Sequence, residues 1–372
     1  PKYVNAHNNL GNLFRELGQI QKAKDCYEKA IKINPKYVNA HYNLGSVHQE
    51  LGEHQKAKSC YEKVIEINPN HVEAHNNLGS VHQELGDRQK AKDCYEKAIA
   101  TDSNHVNAHN NLGIIFKDLG QIQKAKDCYE KAIELNPNHI DAHNNLGSVH
   151  QELGEHQKAK SCYEKAIELN PNYVNAHNNL GTLYVNLKEH EKARDCYEKA
   201  IELNPNHIDA HNNLGTIFQQ LAKYQKAKDC YEKAIELNPN HVEAHNNLGS
   251  VHQELGEHQK AKDYYEKTIE LNPNYVNAYN NLGTIFKKLG EHQKAIGCYE
   301  KAIKINPNHA NVIFNMGRSL KALGEFNKSA KFFEQFLKIY PEDHLGAILE
   351  LATIGKKDIP NKTPKKFLQN FY

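Results

Sequence analysis

Histidine and cysteine are the residues of this chain that could bind a metal ion or act as nucleophiles. The 372 residues include 24 histidines and eight cysteines. His75 and His82 share one helical face, but seven residues span about 10.5 Å of α-helix, too far for both to bind one ion. No nucleophile elbow, phosphate loop or dinucleotide fingerprint appears. We therefore predict no metal, no cofactor and no enzymatic activity for this chain.

The spacing of these residues follows a repeat of 34 residues that runs ten times from Val4 to Asp343. We number positions within a repeat from 1 at Val4. All eight cysteines then occupy position 23, and 23 of the histidines occupy positions 4, 11, 17 and 34. One glycine marks position 8 of each repeat: Gly11, Gly45, Gly79, Gly113, Gly147, Gly181, Gly215, Gly249, Gly283 and Gly317.

The periodic histidines and cysteines are typical of packing positions. Neighbouring repeats in a helical stack stand roughly 10 Å apart, farther than the Cα separation of about 7 Å that a disulfide spans. We predict free, buried cysteines in a reducing compartment. The histidines are predicted to replace core rings and, if buried neutral, to cause a loss of helicity near pH 5.

Composition excludes several classes of protein. The net charge of +2, from 47 basic and 45 acidic side chains, provides no field that would attract nucleic acid. No run of about 18 apolar residues is present, and the chain has no signal-peptide pattern. We predict a soluble, cytoplasmic protein that interacts with neither nucleic acid nor membranes.

Each repeat reads as two helices. The first covers about positions 2 to 14, residues 5–17 in the first repeat, and the second covers residues 21–33 and ends before Asn34 and Pro35. On the first helix, positions 3, 4, 7, 8, 10, 11 and 14 form an apolar or aromatic arc that we expect to be packed. Positions 2, 5, 6, 9, 12 and 13 form the opposite arc. We call this second arc the polar face.

The pattern resembles the tetratricopeptide repeat family. The residues that carry the resemblance are leucine at position 7, glycine at 8, an aromatic at 11, alanine at 20 and 27, an aromatic at 24 and proline at 32, as in residues 108–137. The resemblance implies an all-α, right-handed superhelical α-solenoid of helix–turn–helix repeats. It further implies that the polar face lines a concave groove that binds extended peptides or partner helices, as in a protein–protein interaction scaffold.

Asparagine dominates the polar face. A carboxamide both donates and accepts hydrogen bonds, so a row of them can pair with a peptide backbone whatever its side chains. The row is similar to the asparagine ladder in the repeat domain of O-linked N-acetylglucosamine transferases; the alternative is that the amides bridge neighbouring helices. The predicted peptide-binding residues are position 6, Asn9, Asn43, Asn77, Asn111, Asn145, Asn179, Asn213, Asn247, Asn281 and Asn315, and position 5, Asn76, Asn110, Asn144, Asn178, Asn212 and Asn246.

Acidic residues are frequent at positions 2 and 13 of the polar face, and lysines are scarce. This departs from family members that bind acidic C-termini through basic side chains, so we expect a neutral or basic extended ligand.

The ends of the chain predict further segments. Residues 1–3 fit the end of a preceding repeat, residues 4–343 form ten repeats, residues 344–355 form a capping helix, and residues 356–372 form a linker and the start of a truncated following domain. That junction is similar to the one in bacterial tetratricopeptide-repeat proteins with S-adenosylmethionine-dependent methyltransferase domains.

Two alternatives to a simple scaffold stay open. The chain could be the substrate-recruiting arm of a larger glycosyltransferase or methyltransferase, or a subunit that self-associates through its repeat ends into filaments.

Overall fold

A computed structural model describes residues 2–341 and 345–355, and all regular secondary structure in these residues is α-helical. The predicted all-α fold of consecutive helix pairs is therefore confirmed. The chain divides into two compact units, residues 1–187 and 188–372. Each unit is a stack of helices joined by short turns.

Odd-numbered helices up to α19 are the first helices of the repeats, and we call them A helices; even-numbered helices are B helices. Unit 1 contains α1 Lys2–Glu16, α2 Ile20–Ile33, α3 Val38–Glu50, α4 His54–Ile67, α5 Val72–Glu84, α6 Arg88–Thr101, α7 Val106–Asp118, α8 Ile122–Leu135, α9 Ile140–Glu152, α10 His156–Leu169 and α11 Val174–Asn186. Unit 2 contains α12 His190–Leu203, α13 Ile208–Gln220, α14 Tyr224–Leu237, α15 Val242–Glu254, α16 His258–Leu271, α17 Val276–Lys288, α18 His292–Ile305, α19 Ala310–Ala322, α20 Phe326–Ile339 and α21 Leu345–Thr353.

The turn from an A helix to its B helix requires a left-handed residue at position 15. Gly18 has φ +69° there, and glycine adopts this conformation without steric cost. Ala222 holds φ +54° at the equivalent position, where its Cβ is strained.

The leucine at position 14, just before this turn, was predicted to be packed. That prediction is wrong for Leu17 and eight equivalents, which are exposed because they lie beyond the end of the A helix.

Contact between a glycine and an aromatic ring joins the two helices of a pair, as in α7 and α8. A Cβ added to Gly113 on α7 would lie 2.6 Å from Cε1 of Tyr129 on α8. The ring of Tyr129 is fully buried, and Ala125 and Ala132 beside it are completely inaccessible to solvent. Small residues thus let the two backbones approach until one large ring fills the space between them.

Most histidines bond the backbone at helix ends. At position 4, Nε2 of His75 lies 2.8 Å from the carbonyl oxygen of Pro69, closing the turn between repeats. At position 34, Nδ1 of His71 accepts the N–H of Ala74 and caps α5. The prediction that position 34 is a core position is therefore wrong. The same cap occurs at His105, His139, His207, His241 and His309.

The four histidines at position 11 are buried, as predicted, and three of them contact an acidic residue at position 16. Nδ1 of His150 lies 2.6 Å from Oε2 of Glu155, and His252 and Glu257 repeat that distance. The Lys158 and His150 hydrogen bonds hold the pKa of Glu155 below its ordinary value. His82 differs: its acid at position 16 is the shorter Asp87, which pairs with Lys90.

His82 makes the folded chain sensitive to acid. Burial, and then the charge of Lys58, lower the pKa of His82 below 6.5. The folded state therefore binds fewer protons, and its stability falls as pH drops through 6.5. We expect His82→Phe, which copies Phe116 at the same position, to reduce the loss of unfolding free energy between pH 7 and pH 5.5, measured by urea unfolding. An equal loss of unfolding free energy in the wild type and the variant, each taken relative to its own value at pH 8, would contradict this.

The eight cysteines are free thiols, as predicted, but only Cys26 is fully buried and the other seven are half-buried. Burial raises the pKa of Cys94 and Cys128 to about 11. Because the thiolate is the reactive form, these side chains are poor nucleophiles and behave as packing groups.

The C-terminal helix α21 packs on α20 through Ala347 and Leu351, next to Phe333 and Phe336. The predicted linker and following domain, residues 356–372, lie outside the described residues, as do Pro1 and His344. Among the helices that are described, none is both long and apolar enough to span a membrane.

Candidate peptide-binding face

The asparagines of the polar face are hydrogen-bonded to each other. Within a repeat, Nδ2 of Asn110 at position 5 donates to Oδ1 of Asn111 at position 6, at 3.4 Å. Between repeats, position 6 donates to position 5 of the preceding repeat, 35 residues away. Nδ2 of Asn43, Asn111, Asn145, Asn179, Asn247, Asn281 and Asn315 donates to Oδ1 of Asn8, Asn76, Asn110, Asn144, Asn212, Asn246 and Asn280, respectively, at 3.0 to 3.2 Å.

We call this network the amide ladder. Where position 5 is Tyr42 instead of asparagine, Asn77 donates to the tyrosine hydroxyl at 3.0 Å. The structure thus shows the bridging role that sequence analysis gave as the alternative to peptide binding. An amide has two N–H groups and two acceptor lone pairs, so a position-6 asparagine that uses one of each keeps one of each for a ligand.

The two rows of predicted site residues differ in accessibility. At position 6, Asn9 is exposed and the other nine asparagines are half-buried. At position 5 the amides lie deeper because the neighbouring A helix covers them. Asn76, Asn110, Asn144 and Asn246 are buried, and Asn178 and Asn212 are half-buried. The structure therefore brings the position-6 row to the surface and places the position-5 row beneath it.

Buried tyrosines form the floor of the polar face, which sequence analysis did not foresee. The hydroxyl of Tyr163 passes between α9 and α10 and donates to Oε1 of Gln151, at 3.0 Å. Burial raises the pKa of Tyr61, Tyr95 and Tyr231 to about 12, so these hydroxyls remain donors. The same bond to position 12 joins Tyr61 to Gln49, Tyr95 to Gln83, Tyr231 to Gln219 and Tyr265 to Gln253.

The sequence contains an indication of these tyrosine–glutamine bonds. Every glutamine at position 12 belongs to a repeat with tyrosine at position 24. In the last repeat Phe333 has no hydroxyl, and the positions that would meet it are Arg318 and Lys321. The hydroxyls of Ser46 and Thr216 at position 9 bond the backbone carbonyl four residues earlier, as is common for these residues in helices.

The polar face changes charge along the chain. In unit 1 it carries acidic residues such as Glu73, Asp141 and Glu152, all exposed. At the end of unit 2, Arg318 and Lys321 contact Glu350 of α21, at 3.2 and 2.6 Å. Burial, then the charges of Arg318 and Lys288, lower the pKa of nearby Lys287. The scarcity of lysine noted in the sequence thus does not hold in the last two repeats.

A cleft opens on the polar face between α9 and α11 of unit 1. It has a volume of about 370 Å³ and is lined by Ser148, Gln151, Glu152, Tyr163, Asn179, Thr182 and Asn186. Its lining comes from positions 6, 9, 12, 13 and 24, so it combines the ladder, the floor and the acidic rim. Within the described residues, histidine, cysteine and carboxylate side chains form no group of three that could hold a metal ion.

Comparison with known families identifies the repeat. Models described as tetratricopeptide repeat match residues 37–104, 106–139 and, in overlapping windows, 138–342, and a further repeat model of the same kind matches residues 11–52. The chain belongs to the tetratricopeptide repeat family. Comparison with curated proteins gives no match.

Solved structures that share this fold include those of pilF and Tom70. The structure of pilF from Pseudomonas aeruginosa is 24% identical, with a TM-score of 0.52, and the alignment covers 58% of this chain and 96% of pilF. Yeast Tom70 is 15% identical, with a TM-score of 0.50, over 95% of this chain and 96% of Tom70. At these identities the similarity concerns the fold alone. The likeness of the asparagine row to that of the glycosyltransferases stays a prediction.

Proposed function

We propose that this chain is a non-catalytic scaffold that binds extended segments of other proteins along the polar face of its tetratricopeptide repeats. The observation that carries the proposal is the fixed orientation of the polar groups. The amide ladder and the tyrosine bonds hold the side chains in place while leaving N–H groups and lone pairs unused. Groups that are ordered before binding lose little conformational entropy when a ligand arrives.

An extended backbone is the ligand that best matches these groups. It offers N–H and C=O groups at regular intervals, and side-chain amides can pair with both. Membership of the tetratricopeptide repeat family supports the same proposal, because such repeats usually bind protein partners.

The charge of the polar face favours a neutral or basic segment in unit 1. Exposed carboxylates such as Glu73, Asp141 and Glu152 would repel an acidic ligand. The basic groups Lys287, Arg318 and Lys321 at the end of unit 2 limit this preference to the earlier repeats.

Loss of the position-6 amides tests the proposal. We expect the triple variant Asn111→Ala, Asn145→Ala, Asn179→Ala to bind hits from an array of overlapping 15-residue peptides at least tenfold more weakly, on the order of 1.4 kcal/mol. Binding is measured by fluorescence anisotropy with the full chain.

The matched control replaces three exposed amides on B helices, Gln89, Gln123 and Gln157, by alanine. It is expected to retain wild-type affinity. Should the asparagine variant lose helicity, single replacement of Asn145, expected to cost about two- to threefold, takes its place. Equal affinities of the asparagine and glutamine variants, with both folded, would refute the proposal.

A further inference from the structure

Gln151 is half-buried in the wall of the cleft between α9 and α11 and has an unused amide nitrogen. Its Oε1 accepts the hydroxyl of Tyr163, which turns the amide so that Nε2 faces away from the tyrosine. Within the described residues, Nε2 of Gln151 donates no hydrogen bond, whereas Nε2 of the equivalent Gln219 donates to Ser250 at 3.0 Å. The position-9 hydroxyl of Thr182 in the same cleft already donates to the carbonyl of Asn178. Gln151 is thus an oriented donor available to a carbonyl oxygen.

Glu152 is the carboxylate at the rim of the same cleft. Three other acids at position 13 lie beside basic side chains of the preceding repeat, two arginines and one histidine. Glu50 bonds Nε of Arg15 at 3.3 Å, Glu84 lies 2.7 Å from Nδ1 of His54, and Asp118 lies 3.7 Å from Arg88.

The preceding repeat cannot neutralise Glu152 in this way. Its position 17 is Ile122, and its position-12 cation, Lys117, donates to Ser148 on the cleft wall. Among the described residues no cationic nitrogen lies within 4 Å of the Glu152 carboxylate. An exposed carboxylate and the oriented N–H donor of a half-buried amide therefore line the same cleft, at consecutive positions of α9.

We infer that the cleft between α9 and α11 is a subsite for a lysine or arginine residue of an extended segment. The cationic side chain pairs with Glu152, and the backbone carbonyl of the same residue accepts from Nε2 of Gln151. Tyr163 is a positioning residue that keeps the glutamine amide turned toward the ligand. Asn179 and Asn186 on the facing helix offer amides to the neighbouring peptide groups. This inference rests on the proposed function and assigns one residue of the ligand to one place on the polar face.

The chain itself provides matched controls. Glu50→Gln and Glu152→Gln each remove one negative charge from the polar face, but Glu50 is already engaged by Arg15. Tyr129→Phe and Tyr163→Phe each remove a buried hydroxyl, but Tyr129 lies in a repeat whose position 12 is Lys117 instead of glutamine.

The probes are two fluorescein-labelled 12-residue peptides, one alternating lysine with serine and one alternating glutamine with serine. Their affinities for the full chain are measured at low ionic strength, where charge pairs are least screened. We expect Glu152→Gln to weaken the lysine peptide about five- to tenfold and to leave the glutamine peptide unchanged, while Glu50→Gln changes either peptide less than about twofold. Tyr163→Phe should weaken both peptides about threefold, and Tyr129→Phe neither.

Equal effects of Glu152→Gln and Glu50→Gln on the lysine peptide would overturn the subsite, as would a lysine peptide that binds no tighter than the glutamine peptide. If array peptides bind the chain and depend on the position-6 asparagines while these variants have no effect, the subsite fails and the proposed function stands. If no peptide binds the folded chain, both fail.

Discussion

Replacing Gly113 by alanine is expected to lower the free energy of unfolding by about 2 kcal/mol, because added volume in a close-packed core forces its neighbours to shift. The new Cβ would lie 2.6 Å from Cε1 and 2.8 Å from Cδ1 of Tyr129. Tyr129 is buried between α7 and α8, so its ring can move aside only by displacing the side chains packed around it. Urea unfolding followed by circular dichroism at 222 nm measures the change.

Gly297 provides the control for helix propensity. It also lies inside a helix, α18, but a Cβ there would meet no atom within 4 Å. Gly297→Ala is therefore expected to stabilise the chain by up to about 1 kcal/mol, the difference in helix propensity between the two residues. If both variants shifted stability in the same direction, contact with the tyrosine ring would not be the reason for glycine at position 8.

Replacing Tyr231 by alanine is expected to cost about 3 to 5 kcal/mol, as for other large buried rings. The side chain is fully buried between α13 and α14, and Ala227 and Ala234 beside it are too small to fill the cavity. Unfolding of neighbouring repeats should follow, because each repeat depends on the interfaces with its neighbours. Hydrogen exchange in α13 and α14, compared with α3 and α4, would locate the loss.

The variant Tyr231→Phe separates the contribution of the hydroxyl to stability from that of the ring. This variant retains the apolar contacts but loses the bonds to Thr216, at 3.2 Å, and to Gln219, at 3.0 Å. We expect a cost of about 1 kcal/mol, typical of one net hydrogen bond. A phenylalanine variant as unstable as the alanine variant would show that the polar floor, and not ring packing, dominates stability here.

The sequence predicts the backbone of this protein well because its local rules repeat. Three local patterns each favour one conformation. They are glycine at position 15, the asparagine and proline that follow a B helix, and the alternation of small and large residues at positions 20, 24 and 27. The helices in the structure differ from those predicted by only a few residues at their ends. Position 14 was misplaced because a helical projection assumes that the helix continues, whereas it ends there.

The side-chain bonds of the polar face could not be predicted in the same way. The bond from Asn145 to Asn110 joins residues 35 apart, one more than the repeat, and depends on how far one A helix is offset from the next. Periodicity shows that these residues share a face but contains no information about that offset. The contacts of the position-11 histidines could be predicted in part, since each of these histidines is accompanied by an acid at position 16, as in His150 and Glu155.

The A helices and the B helices of a repeat should respond differently to the ionic strength of the solution. The B helices are covered by lysine–glutamate pairs such as Lys131 with Glu134, which dissolved ions screen. The amide ladder contains no formal charge and no group that titrates in the physiological range. Raising the ionic strength therefore weakens these ion pairs within the B helices, while the amide ladder between consecutive A helices keeps its strength.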